Sequence, residues 1–421
     1  MRIAMASEFA YPILGGVSEH VHFLSRELVA LGHEVTVVTS NLTRSARRAA
    51  EVDREAERRD GYRTVRMGRS VLVVSNGSIS RGSGSLALKH RMSRTVAGMD
   101  VVHAQGLAAP TLGLFALRTS TAPVTVGTFH SYFPEGNYQR LYRAFSPYVG
   151  NALARMDRRI AVSRPIIETF EPLFPGGRWE IIPNGVDTEL FRPLRPGEAA
   201  PAGPPRILFV GRFDPRNALD VLLDAAAILR DQGREFVVQV VGDGPTRPLY
   251  ERQARRLGLW ERVEWHGLRL DERPARYREA TIFAAPCTLA SFGVVLLEAL
   301  ASGAPIVAAD NIGFRQVLRD DMPGTMVPPR DPAALAAALG ALLDDPVRRT
   351  EWALRGRALV EARYAWPRVA RRIEALYEEI LDENGPGRRP PVRAWARLRG
   401  GAPPAAGVRA PALGRRGVTE E

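Results

Sequence analysis

The chain has 421 residues, too many for one ordinary core, so about two domains of roughly 150–200 residues are expected. Its 45% hydrophobic and 25% charged content fits a soluble globular protein, no run approaches the roughly 18–20 apolar residues that span a bilayer, and one cysteine excludes an intrachain disulfide. The net charge of +12 would suit nucleic acid, but no aromatic-interleaved basic motif or zinc knuckle supports that partner.

In chain order, RIAMAS reads as a first strand, too short for the apolar core of a signal peptide, and the lack of disulfides agrees with a cytoplasmic setting. The turn-rich PILGG leads into helical spacing from Val17 to Leu31, which Gly32 ends as a C-terminal cap would. EVTVVTS is the second strand, and the charged stretch Arg44 to Arg69 is expected to be a surface excursion. From Arg81 to Arg94 a loop passes into a basic amphipathic helix, with Leu86, Leu88, Met92 and Val96 set among Lys89, Arg91 and Arg94. That helix is a candidate for peripheral contact with an anionic membrane. DVVHAQ and APVTVGTFH carry continuous apolar runs, as buried parallel strands do, and RRIAVS and WEIIPNGV follow.

The periodic pattern stops at LFRPLRPGEAAPAGPP, Leu190 to Pro205, and then restarts with RILFVGR, FVVQVVGDGP, RVEWHG, TIFAAPC and APIVAAD. The expected organisation is an N-terminal domain over 1–189, a linker over 190–205 and a second domain over 206–365. A helix over 366–383 and a basic, disordered tail over 384–421 complete it. Two successive βα-repeating halves imply an α/β fold of two doubly wound, Rossmann-like sheets facing across a cleft. Ligands bind outside the carboxyl ends of strands in such sheets, so residues just after strands are the ones to examine.

No G-x-G-x-x-G opens a helix, and neither a P-loop nor an Asp-x-Asp is present, so neither a dinucleotide nor a metal-bridged diphosphate is indicated. The seven histidines lack ligand spacing, and no metal is expected. Cys287 closes an apolar run and is expected to be buried and structural. Gly15-Gly16 follows the first strand and precedes a helix, where amides lacking a flanking Cβ approach an anion. His130 ends one strand, Arg212 ends another, and Gly242-Asp243-Gly244 and Asn184-Gly185-Val186-Asp187 are strand-end turns. Phe292-Gly293-Val294-Val295 opens the helix that carries Glu298, a carboxylate in an apolar segment.

Together PILGGVSEHV, GTFH, IIPNGVD, FVGR, VGDGP, FGVVLLEALASGAPIVA and WPRVARRIEALY resemble glycosyltransferase family 4, with its GT-B fold, up to about residue 383. VLVVSNGSISR followed by DVVHAQG is similar to the phosphatidylinositol mannosyltransferase branch, which uses GDP-mannose. The resemblance implies a retaining, metal-independent hexosyltransferase with no cofactor beyond its nucleotide-sugar donor, and a lipid or glycan acceptor. It places Gly15, Gly16, Arg212, Arg216, Gly242, Gly293, Val294 and Glu298 at the donor, with Glu298 on the ribose. His130 would lie beside the transferred sugar, and Arg212 would stabilise charge on the leaving diphosphate. Two positions depart from the family pattern: Asn217 stands near the place of a lysine, and Ala290 in place of a second glutamate. They leave open, as the alternative, a noncatalytic GT-B protein that binds nucleotide, sugar or lipid or supports a partner enzyme.

Overall fold

The computed structural model describes residues 1–385 except 14, 42–52, 56, 69, 76–77, 84–85, 108–110, 135–148, 200–201, 268–271 and 320. The tail beyond 385 lies outside the described residues.

Two parallel sheets carry the fold, each from one half of the chain. The first has the order β3-β2-β1-β6-β7-β8-β9, from β1 (Arg2–Ser7), β2 (Glu34–Ser40), β3 (Arg63–Met67), β6 (Val101–Gln105), β7 (Val124–Phe129), β8 (Arg158–Ala161) and β9 (Trp179–Ile181). The second has the order β12-β11-β10-β13-β14-β15, from β10 (Arg206–Val210), β11 (Val237–Val241), β12 (Val263–Gly267), β13 (Ile282–Ala285), β14 (Ile306–Ala309) and β15 (Thr325–Val327). The central strands are buried along their whole length, which is why VVHAQ and IFAA read as unbroken runs and not as alternation. Strand order reverses between β1 and β6 and again between β10 and β13, and a crevice opens at the carboxyl ends of such neighbours. The doubly wound α/β architecture is thus the one expected from the alternating pattern.

Two local readings need correction. The charged stretch Arg44 to Arg69 is not wholly an excursion, because Arg63–Met67 pairs in parallel with β2 as the edge strand β3. One edge strand needs little apolar surface, and the half-exposed RTVRM has little. Between the sheets' strands, β4 (Ser70–Ser75) and β5 (Ser78–Ser83) form a separate antiparallel hairpin. The helix Leu86–Val96 is amphipathic, but its apolar residues Leu88, Met92 and Val96 are buried in the first domain's core beside Leu112 and Ala116. They are therefore not free to enter a bilayer, and the exposed face of the helix carries Lys89, His90, Arg91, Ser93 and Arg94.

The helix Trp366–Asn384 packs against the first half of the chain, although it follows the second sheet. Its buried residues Trp366, Val369, Ala370, Ile373, Leu376, Tyr377 and Ile380 recur at three- and four-residue spacing and share a core with Val21, Phe23, Leu24 and Leu28. At its start, Val186 N–H donates to Tyr364 O (2.8 Å) and Trp366 N–H to Val186 O (3.2 Å). This bridge joins the chain's exit from the first domain to its return. Gly185 is needed there, since a Cβ would come within 2.5 Å of the Trp366 ring. Trp366→Ala removes the fully buried anchor and is expected to cost about 3–5 kcal/mol, read as a lower midpoint of urea denaturation.

Candidate active site

A cleft lies between the two halves, and Gly16, Glu19, His20, Asn184, Val294 and Glu298 are among its lining residues. The helix Gly16–Ala30 starts directly at this cleft, and Cβ atoms added at Gly15 or Gly16 would meet no atom within 4 Å. The first-turn amides are therefore approachable from the open side, as an anion-binding helix end requires. From the opposite half, Gly293 precedes the helix Val294–Ala301 with φ 119°, and a Cβ there would come within 2.8 Å of Phe314. The two halves are tied beside the cleft by Ser291: Tyr132 N–H donates to its Oγ (2.9 Å), and Ser163 Oγ donates to its carbonyl (2.8 Å).

Glu298 is 2% exposed, so it is not a solvated helix acid. Arg273, the first residue of the helix Arg273–Glu279, lies 3.2 Å from Glu298 Oε1 through Nη2 and 2.9 Å from Glu19 Oε1 through Nη1. Burial pushes the Glu298 carboxyl up to about 7; Arg273 opposes that shift, and the Glu19 charge adds to it. Burial also works against the Arg273 charge, but the Glu298 and Glu19 carboxylates more than offset it. Burial likewise raises the Tyr277 hydroxyl, beside the same carboxylate, well above its ordinary value.

His130 meets the cleft through His20, whose ring centroid is 4.6 Å away in an edge-on arrangement. Behind it runs a directional chain. His130 Nε2–H donates to Gln105 Oε1 (2.8 Å), and the Gln105 amide donates to His103 Nε2 (3.1 Å). Thr128 donates to the same nitrogen (2.6 Å), and His103 Nδ1–H reaches the Tyr377 hydroxyl (2.6 Å) on the returning helix. His20 Nδ1–H donates to Asn184 Oδ1 (2.9 Å). Burial lowers His20 to about 4 and His103 to about 3, and together with His20 and His103 it lowers His130 well below its usual value. All three rings are neutral at pH 7.

Arg212, Arg216 and Gly242 form a second group at the carboxyl ends of β10 and β11. Asp214 Oδ2 lies 3.3 Å from Arg212 Nη2 and 3.6 Å from Arg216 Nη2. Gly242 has φ 149°, and a Cβ would fall 1.9 Å from the Gly211 carbonyl oxygen, so these two strand ends touch backbone to backbone. Asn217 Nδ2 donates to the Arg212 carbonyl (2.7 Å), which gives that side chain a role in holding the loop. Thr288 N–H donates to Arg216 O (2.8 Å), linking this group to the segment that carries Ala290. Arg212 and Arg216 are not among the residues lining the Glu298 cleft, so the predicted donor residues fall into two neighbouring groups. Cys287 is only half-buried, contrary to expectation, but its thiol donates to Leu289 O (3.3 Å), and burial pushes it up to about 11. Among the described residues, no cluster of three or more His, Cys, Asp or Glu could hold a metal, and no helix is long and apolar enough to cross a membrane.

Sequence reasoning missed Glu19, Arg273, Tyr277 and Gln105. Arg273 and Tyr277 sit at i and i+4 on one helix, and Glu19 lies in the first turn after Gly15-Gly16, so the spacing held a faint signal.

Residues 14–190 match the family described as Glycosyltransferase Family 4, and residues 204–345 the family described as Glycosyl transferases group 1. The chain is 33% identical to the phosphatidyl-myo-inositol mannosyltransferase of Mycobacterium leprae, over 90% of this chain and 97% of that protein. It is 30% identical to the GDP-mannose-dependent alpha-(1-6)-phosphatidylinositol monomannoside mannosyltransferase of Mycolicibacterium smegmatis, over 87% of this chain and 95% of that one. Among solved structures, a glycosyltransferase from Rickettsia africae superposes with a TM-score of 0.69 at 19% identity, covering 90% of this chain and 98% of that one. Anabaena HepE in complex with UDP-glucose superposes with a TM-score of 0.71 at 21% identity, covering 90% and 100%. The chain belongs to glycosyltransferase family 4. It is a glycosyltransferase with the GT-B fold.

The histidine chain carries a pH signature. Between the ordinary value near 6.5 and the lowered values of His20 and His103, the unfolded state binds protons that the native state does not, so stability falls as pH falls. Each ring contributes about 1.4 kcal/mol per pH unit across that window. His103→Asn should flatten the slope of unfolding free energy between pH 6.5 and 5, measured by urea denaturation at each pH.

Proposed function

We propose that this glycosyltransferase moves a hexose, mannose in the first instance, from GDP-mannose to a phosphatidylinositol-type acceptor, retaining anomeric configuration and needing no divalent metal. The observation that carries this reading is the cleft itself. It sets the Gly15-Gly16 helix end from one half against buried Glu298 from the other, in a chain about a third identical to phosphatidyl-myo-inositol mannosyltransferases.

In this reading the domain amides at Gly15 and Gly16 and at Gly293-Val294 meet the donor diphosphate, and Glu298 accepts from the ribose hydroxyls. Arg212, with Arg216 beside it, offsets charge that grows on the leaving diphosphate, while Gly242 lets backbone come close. Neutral His130, oriented by Gln105, lies beside the transferred sugar without adding a charge there. Closure of the two halves excludes water from the reacting centre. Ala290 and Asn217 modify the sugar-side wall and the Arg212 loop.

Incubation with GDP-mannose and phosphatidylinositol vesicles should yield a mannosylated lipid and free GDP, undiminished by EDTA. Arg212→Ala should lower kcat by about 10²–10³. Nucleotide binding without transfer or hydrolysis, for GDP-mannose and UDP-glucose and under every acceptor tried, would sink the enzymatic reading of this cleft. Membrane contact, in this reading, is electrostatic. Neutralising Lys89, Arg91 and Arg94 together should weaken binding to anionic vesicles by about 1 kcal/mol per charge and leave neutral vesicles unaffected; unchanged binding to anionic vesicles would remove that surface from consideration.

A further inference from the structure

Glu298 presents two oxygens in different states. Oε1 faces the Arg273 guanidinium, whereas Oε2 is buried and, among the described residues, has no partner in hydrogen-bonding geometry; the Tyr277 hydroxyl faces the same carboxylate and favours its charged form, but it too lacks such a partner. An unpaired carboxylate oxygen at that depth is costly unless something else completes it. Because Glu298 lines the cleft, the completing group can come from a bound ligand.

Arg273 is held in place on three sides. Nη1 bonds Glu19 of the first domain at 2.9 Å, Nη2 faces Glu298 of the second at 3.2 Å, and the guanidinium carbon lies 5.3 Å from the centre of the Phe191 ring. A planar fork can satisfy two carboxylates and a ring face at once, which a lysine ammonium cannot. Without it, Glu19 and Glu298 would be two buried carboxylates sharing one site, and one of them would take up a proton.

We propose that Arg273 is a positioning residue of the donor site: it holds Glu298 charged and oriented by one oxygen, leaving the other for the vicinal hydroxyls of the donor's ribose. It rests on the reading of Glu298 as the ribose ligand. It also ties that ligand to domain closure, since Glu19 comes from the opposite half. The groups facing Glu298 are Arg273, Glu19, Tyr277 and, from the loop after β1, Tyr11. Both tyrosine hydroxyls are raised well above their ordinary value by burial, so between pH 6 and 9 the titration belongs to the Glu298 carboxyl.

The test uses binding of GDP against 2′,3′-dideoxy-GDP to the full-length protein from pH 6 to 9, with UDP and its dideoxy form run alongside. Above pH 7, where Glu298 is charged, the wild type should prefer the intact ribose by about tenfold or more, as expected for hydrogen bonds to a charged group, and the preference should weaken towards pH 6. Glu298→Gln should lose most of that preference at every pH. Arg273→Met should lose it near pH 6.5 and regain it towards pH 9, as the unpaired carboxyl ionises. Adding Glu19→Gln to Arg273→Met should move the recovery to lower pH, because the competing charge is gone. Arg273→Lys, which keeps the charge but not the fork, should give a recovery at lower pH than Arg273→Met and a weaker preference than the wild type. If Glu298→Gln loses the preference but Arg273→Met keeps it from pH 6.5 upwards, Arg273 has no such role and the ribose reading stands. If Arg273→Met loses the preference at all pH values, without rescue by Glu19→Gln, its role is structural and the proposal fails. Full preference in Glu298→Gln for both nucleotides would overturn the ribose reading itself. Should Arg273→Met not fold, Glu19→Gln alone decides: the preference should then extend to lower pH than in the wild type, and an unmoved profile overturns the proposal.

Discussion

One guanidinium shared between two buried carboxylates is the interaction on which the arrangement of the cleft depends. Arg273 bonds Glu19 from the first half of the chain and faces Glu298 from the second, so each half carries a charge that neither could bury alone. The energetic consequence is asymmetric. The assembled trio is a modest contributor to stability, because desolvation offsets much of the attraction, yet removal of the central cation leaves two like charges out of water. The two halves are thereby held in a specific relation, with the Gly15-Gly16 helix end facing the Val294–Ala301 helix.

The second element of the site is neutral by construction. His20, His130 and His103 lie in surroundings where burial suppresses protonation, and Gln105 relays one orientation from His103 to His130. The Gln105 carbonyl oxygen can only accept, so His130 carries its proton on Nε2, and the tautomer is set by Gln105 and not by solvent. Tyr377 belongs to the helix that returns from the second half of the chain. The crossing helix therefore contributes to the site as well as to the core.

Much of this was legible in the residues. Continuous apolar runs named the central strands because those strands are covered on both faces. Strand-end positions singled out Gly15, Gly16, His130, Arg212 and Gly242 as candidates, since a doubly wound sheet binds at its carboxyl ends, and Glu298 stood out as a carboxylate inside an apolar helix. The edge strand β3 was not legible, as an edge needs little apolar surface and RTVRM offers little. Nor was the fate of the Leu86–Val96 helix: amphipathic spacing is the same whether the apolar side meets a bilayer or, as here, a protein core. Arg273 was hidden for a different reason. RPARYREA is ordinary surface-helix composition, and only the distant Glu19 and Glu298 give its first arginine a buried role.

By itself, then, the sequence determined the two-sheet α/β architecture, the break between its halves and the short segments that end at the cleft. These follow from local periodicity, turn residues and apolar runs, all of which act over a few neighbouring positions. The tertiary structure alone decided which of those segments meet: that Glu298 shares Arg273 with Glu19, that His130 is oriented from Tyr377, and that Arg212 and Arg216 gather on Asp214. Charge pairing and hydrogen bonding act between side chains about 250 residues apart for Arg273 and Glu19. No local pattern specifies such a pair, because its energy exists only once both domains have folded and closed on each other.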